Sequence, residues 1–181
     1  MDIAALVNIT SRAWTLPILA KLHEGTQARQ APLLAATGAG RTAFAQSLQH
    51  LIDIDLIERN PGHGHPLRPE FRLTAQGIEA AALAHAVHQA TTPAGLPLLR
   101  RTWVLPILST LQAPRHFNDI GRHLGRITDR ALSQSLRIME DHEWVLRDVS
   151  TASRPPRPLY SPINTGLALS RIAAPRITLS P

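Results

Sequence analysis

The feature that most constrains this chain is that it contains a second copy of itself. Arg12, Trp14, Leu16, Pro17, Ile18, Leu19 and Leu22 return as Arg101, Trp103, Leu105, Pro106, Ile107, Leu108 and Leu111, each 89 residues on. Gln46, Ser47 and Leu48 return as Gln134, Ser135 and Leu136 at an offset of 88, and Phe71 and Gly77 as Tyr160 and Gly166 at 89. Three blocks in register across half a chain are the mark of a duplicated unit. The 181 residues therefore divide into two domains of one architecture, each long enough to close around its own core. The expected boundaries are 1–92 and 93–181, with the stretch ATTPAGL as a short turn-rich link.

Each copy carries the same order of elements. Pro17 and Pro106 cannot lie deep in a helix but fit a first turn, so helices are predicted to start near Leu16 and Leu105. In the second copy Asn118 is expected to cap a helix that runs to Leu124 and stops at Gly125. Thr128 caps the next helix, with Asp129 favourably placed in its first turn. Helical spacing turns Leu132, Leu136 and Met139 of this helix inward and Arg130, Ser133, Gln134 and Arg137 outward. A strand from Trp144 to Val149, the irregular stretch STASRPPRP and a returning strand at Leu159–Ser161 complete the copy.

The first copy matches, with helices near 32–37 and 42–53 and strands at 56–59 and 70–73 around the loop NPGHGHPLRP. A further helix is expected at 78–90, whereas after Gly166 only 167–174 can be helical before Pro175. Trp14, Trp103 and Trp144 are read as core anchors. The predicted fold is mainly α with small β-hairpin wings: two tandem winged helix-turn-helix domains.

Three segments resemble the HxlR-type branch of the MarR-like winged-helix transcription regulators. Trp103-Val-Leu-Pro-Ile-Leu resembles the family's opening helix. Thr128-Asp-Arg-Ala-Leu-Ser-Gln-Ser-Leu-Arg137 is similar to its recognition helix, usually Ser-Pro-Lys-x-Leu-Ser-x-x-Leu-Lys. Phe71-Arg-Leu-Thr-x-x-Gly77 looks like the end of its wing and the start of its last helix. The resemblance covers nearly all of both copies. It implies binding to double-stranded DNA, with the second helix of each helix-turn-helix in a major groove and each wing along the backbone.

The departures are informative. Members of that family are usually single domains that dimerise, and many carry a cysteine near the first helix. This chain has no cysteine, which excludes thiol-based sensing along with disulfides, thiolate zinc sites and cysteine nucleophiles. Arg41-Thr42-Ala43-Phe44 stands where a more basic start is expected, and Ser161-Pro162-Ile163-Asn164 replaces the Ser-Leu-Thr ending of the wing.

The candidate DNA-binding residues of the second copy are Thr128, Arg130, Ser133, Gln134 and Arg137. Arginine bonds guanine edges in bidentate fashion and glutamine reads adenine. Arg154 and Arg157 bracket two prolines in the second wing, which presents two guanidiniums at little ordering cost to a phosphate or a narrow minor groove. The matching face of the first copy is Thr42, Ala45, Gln46 and Gln49, flanked by Arg41 and His50, polar but short of charge, and its wing offers only Arg68 with His63 and His65.

Charge is distributed accordingly. Residues 1–92 hold seven basic and seven acidic side chains, whereas 93–181 hold twelve and six. Eighteen of the nineteen basic residues are arginine, with Lys21 the exception. An excess confined to one half suits a polyanion. His63 with His65, and His85 with His88, lack a third ligand at convincing spacing, so no metal is expected. Neither a cofactor nor an enzyme is expected, since no phosphate loop, nucleophile elbow or carboxylate pair is present in the sequence. No apolar run approaches the length of a membrane span and the start lacks a basic n-region, so a cytoplasmic, nucleoid-associated protein is expected.

The alternative is a tandem winged-helix module of the condensin-associated kind, which binds protein and has no need of arginine faces. Segments 3–9, 78–90 and 167–172 are expected to pack within one chain, giving a monomeric pseudo-dimer suited to an asymmetric site. Pairing of the apolar N-terminal segment between chains would instead give a homodimer.

Overall fold

The computed structural model describes residues 1–60, 70–150 and 157–179. It falls into two compact units, Arg12–Gln89 and Met1–Ser11 together with Ala90–Pro181. The first eleven residues, however, belong with the second copy, because helix α1 (Ile3–Thr10) packs on that unit's helices.

The unit 12–89 comprises α2 (Thr15–His23), α3 (Gln30–Thr37), α4 (Arg41–Asp53), β1 (Ile57–Asn60), β2 (Glu70–Leu73) and α5 (Ala75–Gln89). Pro17 sits at the third position of α2, where a backbone N–H has no partner within the helix. Gly38 ends α3 in the left-handed conformation, φ +66°, which costs a residue without Cβ nothing. Helix α4 buries Phe44, Leu48 and Leu51. Strands β1 and β2 pair antiparallel, Ile57 opposite Leu73 and Asn60 opposite Glu70, to form the wing. Helix α5 lies on α2 through the small buried residues Ala80, Ala81 and Ala84 with Leu83 and Val87. It starts three residues earlier than expected, because the Thr74 hydroxyl accepts the Gly77 N–H at 3.0 Å and caps the first turn.

The other unit continues from α1 with α6 (Leu96–Leu99), α7 (Val104–Thr110), β3 (Arg115–His116), α8 (Phe117–Leu124), α9 (Asp129–Asp141), β4 (Val145–Ser150), β5 (Arg157–Pro162) and α10 (Asn164–Ala173). A 3₁₀ turn, Ala174–Arg176, takes up Pro175. Helix α7 is buried along its whole length among α1, α6, α8 and α10, as its mostly apolar sequence requires. Its two hydroxyls are satisfied internally, Ser109 donating to the Pro106 carbonyl and Thr110 to that of Ile107, both at 2.7 Å. In α1 the Asp2 carboxylate accepts the Ala5 N–H at 2.7 Å, and Ile3, Leu6 and Ile9 are buried. The Ile3 N–H donates to Thr178, whose own N–H donates to Met1, so a parallel bridge ties this helix to the segment after α10.

Strand β3 is absent from the sequence reading. It pairs with β5, Arg115 opposite Tyr160, and makes a sheet in the order β3-β5-β4. That pairing keeps the chain extended up to His116, which becomes the N-cap of α8, so Asn118 lies within the first turn and is not the cap. The first copy keeps one bond of this arrangement, from the Phe71 N–H to the Ala28 carbonyl at 2.8 Å. The tryptophans also divide: Trp144 is buried, whereas Trp14 and Trp103 sit half-buried at the N-caps of α2 and α7.

The corner between recognition helix and wing explains the repeated glycine. Asp55 and Glu143 occupy the same left-handed conformation, φ +56°. Leu56 donates to the Leu51 carbonyl at 3.0 Å and Trp144 to that of Met139 at 2.8 Å. The carbonyl of Leu56 in turn accepts Thr74 N–H, and that of Trp144 accepts Ile163 N–H. Gly77 and Gly166 press on these same carbonyls: a Cβ would stand 1.9 Å from Leu56 O and 2.0 Å from Trp144 O. Only glycine permits the last helix to approach so closely.

Candidate nucleic-acid interface

Helix α9 follows α8 across a turn closed by Gly125, which has a positive φ of +64°. The Thr128 hydroxyl accepts the Ala131 N–H at 3.2 Å, so this candidate residue serves as the N-cap. Burial of Leu132, Leu136 and Met139 fixes which face turns outward, and Arg130, Ser133, Gln134 and Arg137 are all exposed on it. Among the described residues neither Arg130 nor Arg137 has a carboxylate within ion-pair distance. Nearby Glu140 has its carboxyl pushed up by burial; Arg147 pulls it down, Asp141 pushes it up and Arg137 pulls it down. The outward face thus keeps donors suited to base edges.

The wing adds a second basic element. Arg157 is exposed at the start of β5, opposite Ser150. With His116, Asn118, Asp119 and Arg122 it lines a cleft of about 300 Å³ between β5 and the first turn of α8. His116 Nδ1 lies 3.0 Å from the Pro158 carbonyl and holds the two walls together, while Arg122 pairs with Asp119. Arg154 lies outside the described residues, as do Arg68, His63 and His65.

The corresponding face of α4 is also exposed at Arg41, Thr42, Ala45, Gln46 and Gln49. Gly40 is its N-cap and makes no side-chain bond, in contrast to Thr128. Gln49 is held at both ends: its Nε2 donates to Asp53 Oδ1 at 2.7 Å and its Oε1 accepts from Arg59 Nη2 at 2.9 Å. The Asp53 partner is readable as an i, i+4 pair. Arg59 reaches over from β1, and nothing local in the sequence pointed to it.

His85 and His88 are both half-buried on α5. His85 Nδ1 lies 3.4 Å from Glu24 Oε1, with the His23 ring 4.9 Å away. Among the described residues no group of three or more His, Asp or Glu side chains could hold a metal ion. No single described helix is long and apolar enough to cross a membrane. Charge follows the structural units as it followed the halves: Arg12–Gln89 carries seven basic and six acidic residues, the other unit twelve and seven.

Comparison with known proteins bears on both copies. The family model described as HxlR-like helix-turn-helix matches residues 9–93 and again 98–175. Among solved structures the chain is similar to the reduced form of the transcriptional regulator YodB from B. subtilis. The likeness is 26% in identity over 45% of this chain and 83% of that one, with a TM-score of 0.41. No match among curated proteins was found. With two matches that together span most of its length, each on a helix-turn-helix followed by a wing, the chain belongs to the HxlR-like helix-turn-helix family of DNA-binding transcription regulators.

Proposed function

We propose that this regulator binds double-stranded DNA with sequence preference, α9 and α4 entering major grooves and the second wing lying on the backbone or minor groove. The observation that carries the reading is the outward face of α9, with two exposed arginines two turns apart and no ion-pair partners among the described residues. Such donors match guanine O6 and N7. Arg157 and the cleft it lines suit phosphate oxygens, as does Arg154 at the other side of the two prolines. The Arg12–Gln89 unit, nearly neutral, contributes preference more than affinity, and the basic unit contributes most of the affinity.

A single chain carrying both readers acts as a monomeric pseudo-dimer. In support, Ile3, Leu6 and Ile9, the residues that would pair between chains, are buried within their own. Light scattering at micromolar concentration is expected to return 19.8 kDa, and a stable species of twice that mass would contradict the pseudo-dimer.

The deciding experiment is a gel shift of the full chain on mixed genomic fragments with unlabelled competitor. Retention of a subset of fragments is expected. Uniform failure to bind any duplex would favour a winged-helix module that takes a protein partner.

A further inference from the structure

We infer that the two recognition faces read different bases, α4 an A·T pair through a glutamine that Arg59 positions, and α9 guanines through Arg130 and Arg137. This rests on the DNA-reading role proposed above and adds to it the base chemistry of each half and one positioning residue. Its starting point is the pair of hydrogen bonds on Gln49, at 2.7 Å to Asp53 and 2.9 Å from Arg59.

A guanidinium only donates and an ionised carboxylate only accepts, so these two partners settle which end of the amide is which. The oxygen of Gln49 faces Arg59 and the nitrogen faces Asp53. Each end keeps further capacity, one N–H and one lone pair, the complement of adenine's N7 and N6 edge. Exposed glutamines ordinarily lose rotamer freedom on binding. Here that ordering is already present, so binding DNA does not have to supply it.

The second copy cannot build this clamp. At the position matching Gln49 it has Arg137, with Arg147 in place of Arg59 and Asp141 in place of Asp53. A guanidinium accepts nothing from Arg147, and two cations repel. Arg137 therefore stays available for guanine. The rest of each face follows the same contrast. Thr42 and Ala45 carry methyl groups that fit thymine's methyl, whereas the matching positions hold Arg130 and Ser133. Gln46 and Gln134 are common to both faces.

The test is selection of bound duplexes from a random pool, with the full chain in four forms: unchanged, Gln49→Ala, Arg59→Ala and Arg59→Lys. The unchanged chain is expected to enrich a site whose two parts differ, one bearing an A·T position and the other guanines. Gln49→Ala and Arg59→Ala should both lower preference at that same A·T position about tenfold. Arg59→Lys, which still donates to the amide oxygen, should restore most of it. Retention of the guanine part reports that the unit carrying α9 is intact, and an unchanged urea unfolding profile in each variant reports that the mutated Arg12–Gln89 unit remains folded.

Two parts of equal base preference would overturn the inference, as would an A·T preference untouched by Arg59→Ala. Equal weakening on all sequences would make Arg59 a phosphate contact instead of a positioning residue. An unchanged chain that binds duplex without enriching any sequence would overturn the DNA-reading role itself, and this inference with it.

Discussion

Arg137 and Arg157 are both exposed guanidiniums, yet they stand on different elements, the recognition helix and the wing, for which different DNA contacts are proposed. Arg137→Ala is expected to cost roughly 1–3 kcal/mol on the preferred duplex and little on a scrambled one. Arg157→Ala should weaken both about equally. Fluorescence anisotropy on the two duplexes checks the pair, and equal loss of discrimination from both would reverse the assignment of helix and wing. Gly77 and Gly166 make a prediction about stability. A methyl group at either meets a backbone carbonyl at about 2 Å, so Gly77→Ala and Gly166→Ala should each lower stability by roughly 1–3 kcal/mol in urea unfolding. How far residues could be read from sequence follows from the range of their interactions. The Thr128 cap and the Gly125 stop act within a few residues and were legible. Gln49 was read as a candidate base contact, and its tie to Arg59 was not legible because that partner arrives from a strand. The repeated glycine was visible as a repeat, but its reason lies in a contact across some twenty residues.

Among the elements, recognition helices and wing strands were legible because their apolar positions follow the periods of helix and strand. Strand β3 was not, since its two residues are extended only by pairing with β5. The seam between α2 and α5 carries a pH dependence that also arises from packing. His88 has its pKa lowered chiefly by burial, with Lys21 adding to the effect, Glu24 opposing it and His85 adding again. The unfolded chain then binds more protons than the folded one as pH falls below the ordinary histidine value of 6.5. Stability is full above that value and declines below it, until the lowered folded pKa is passed. Glu24, whose carboxyl is pulled down first by its hydrogen bond from Lys21, loses its contribution only below its ordinary value of 4.5. Urea midpoints at about pH 7.5 and 5.5 should therefore differ in the unchanged protein. The difference should shrink in His88→Gln, whereas an equal difference in both would contradict the assignment.

At the scale of the molecule, duplication sets the architecture, and the first helix joins the second copy. Helix α1 contributes Ile3, Leu6 and Ile9 to that unit, each worth roughly 1.5–3 kcal/mol when fully buried. Deleting residues 1–11 should strip hydrogen-exchange protection from α7 and α8, and unaltered protection would show that α1 is dispensable. Packing of segment 3–9 within one chain was expected, but the boundary at 92 placed it with the first copy, because an apolar segment does not show which neighbour it covers.

On the proposed function, arginines of the 90–181 segment carry affinity by neutralising phosphates. The dependence of duplex affinity on salt decides this. If about five phosphates are contacted, log K should fall against log salt with a slope of about −4 to −5. A slope near zero would show that phosphate neutralisation does not supply the affinity and would place this arginine surface against a partner other than nucleic acid.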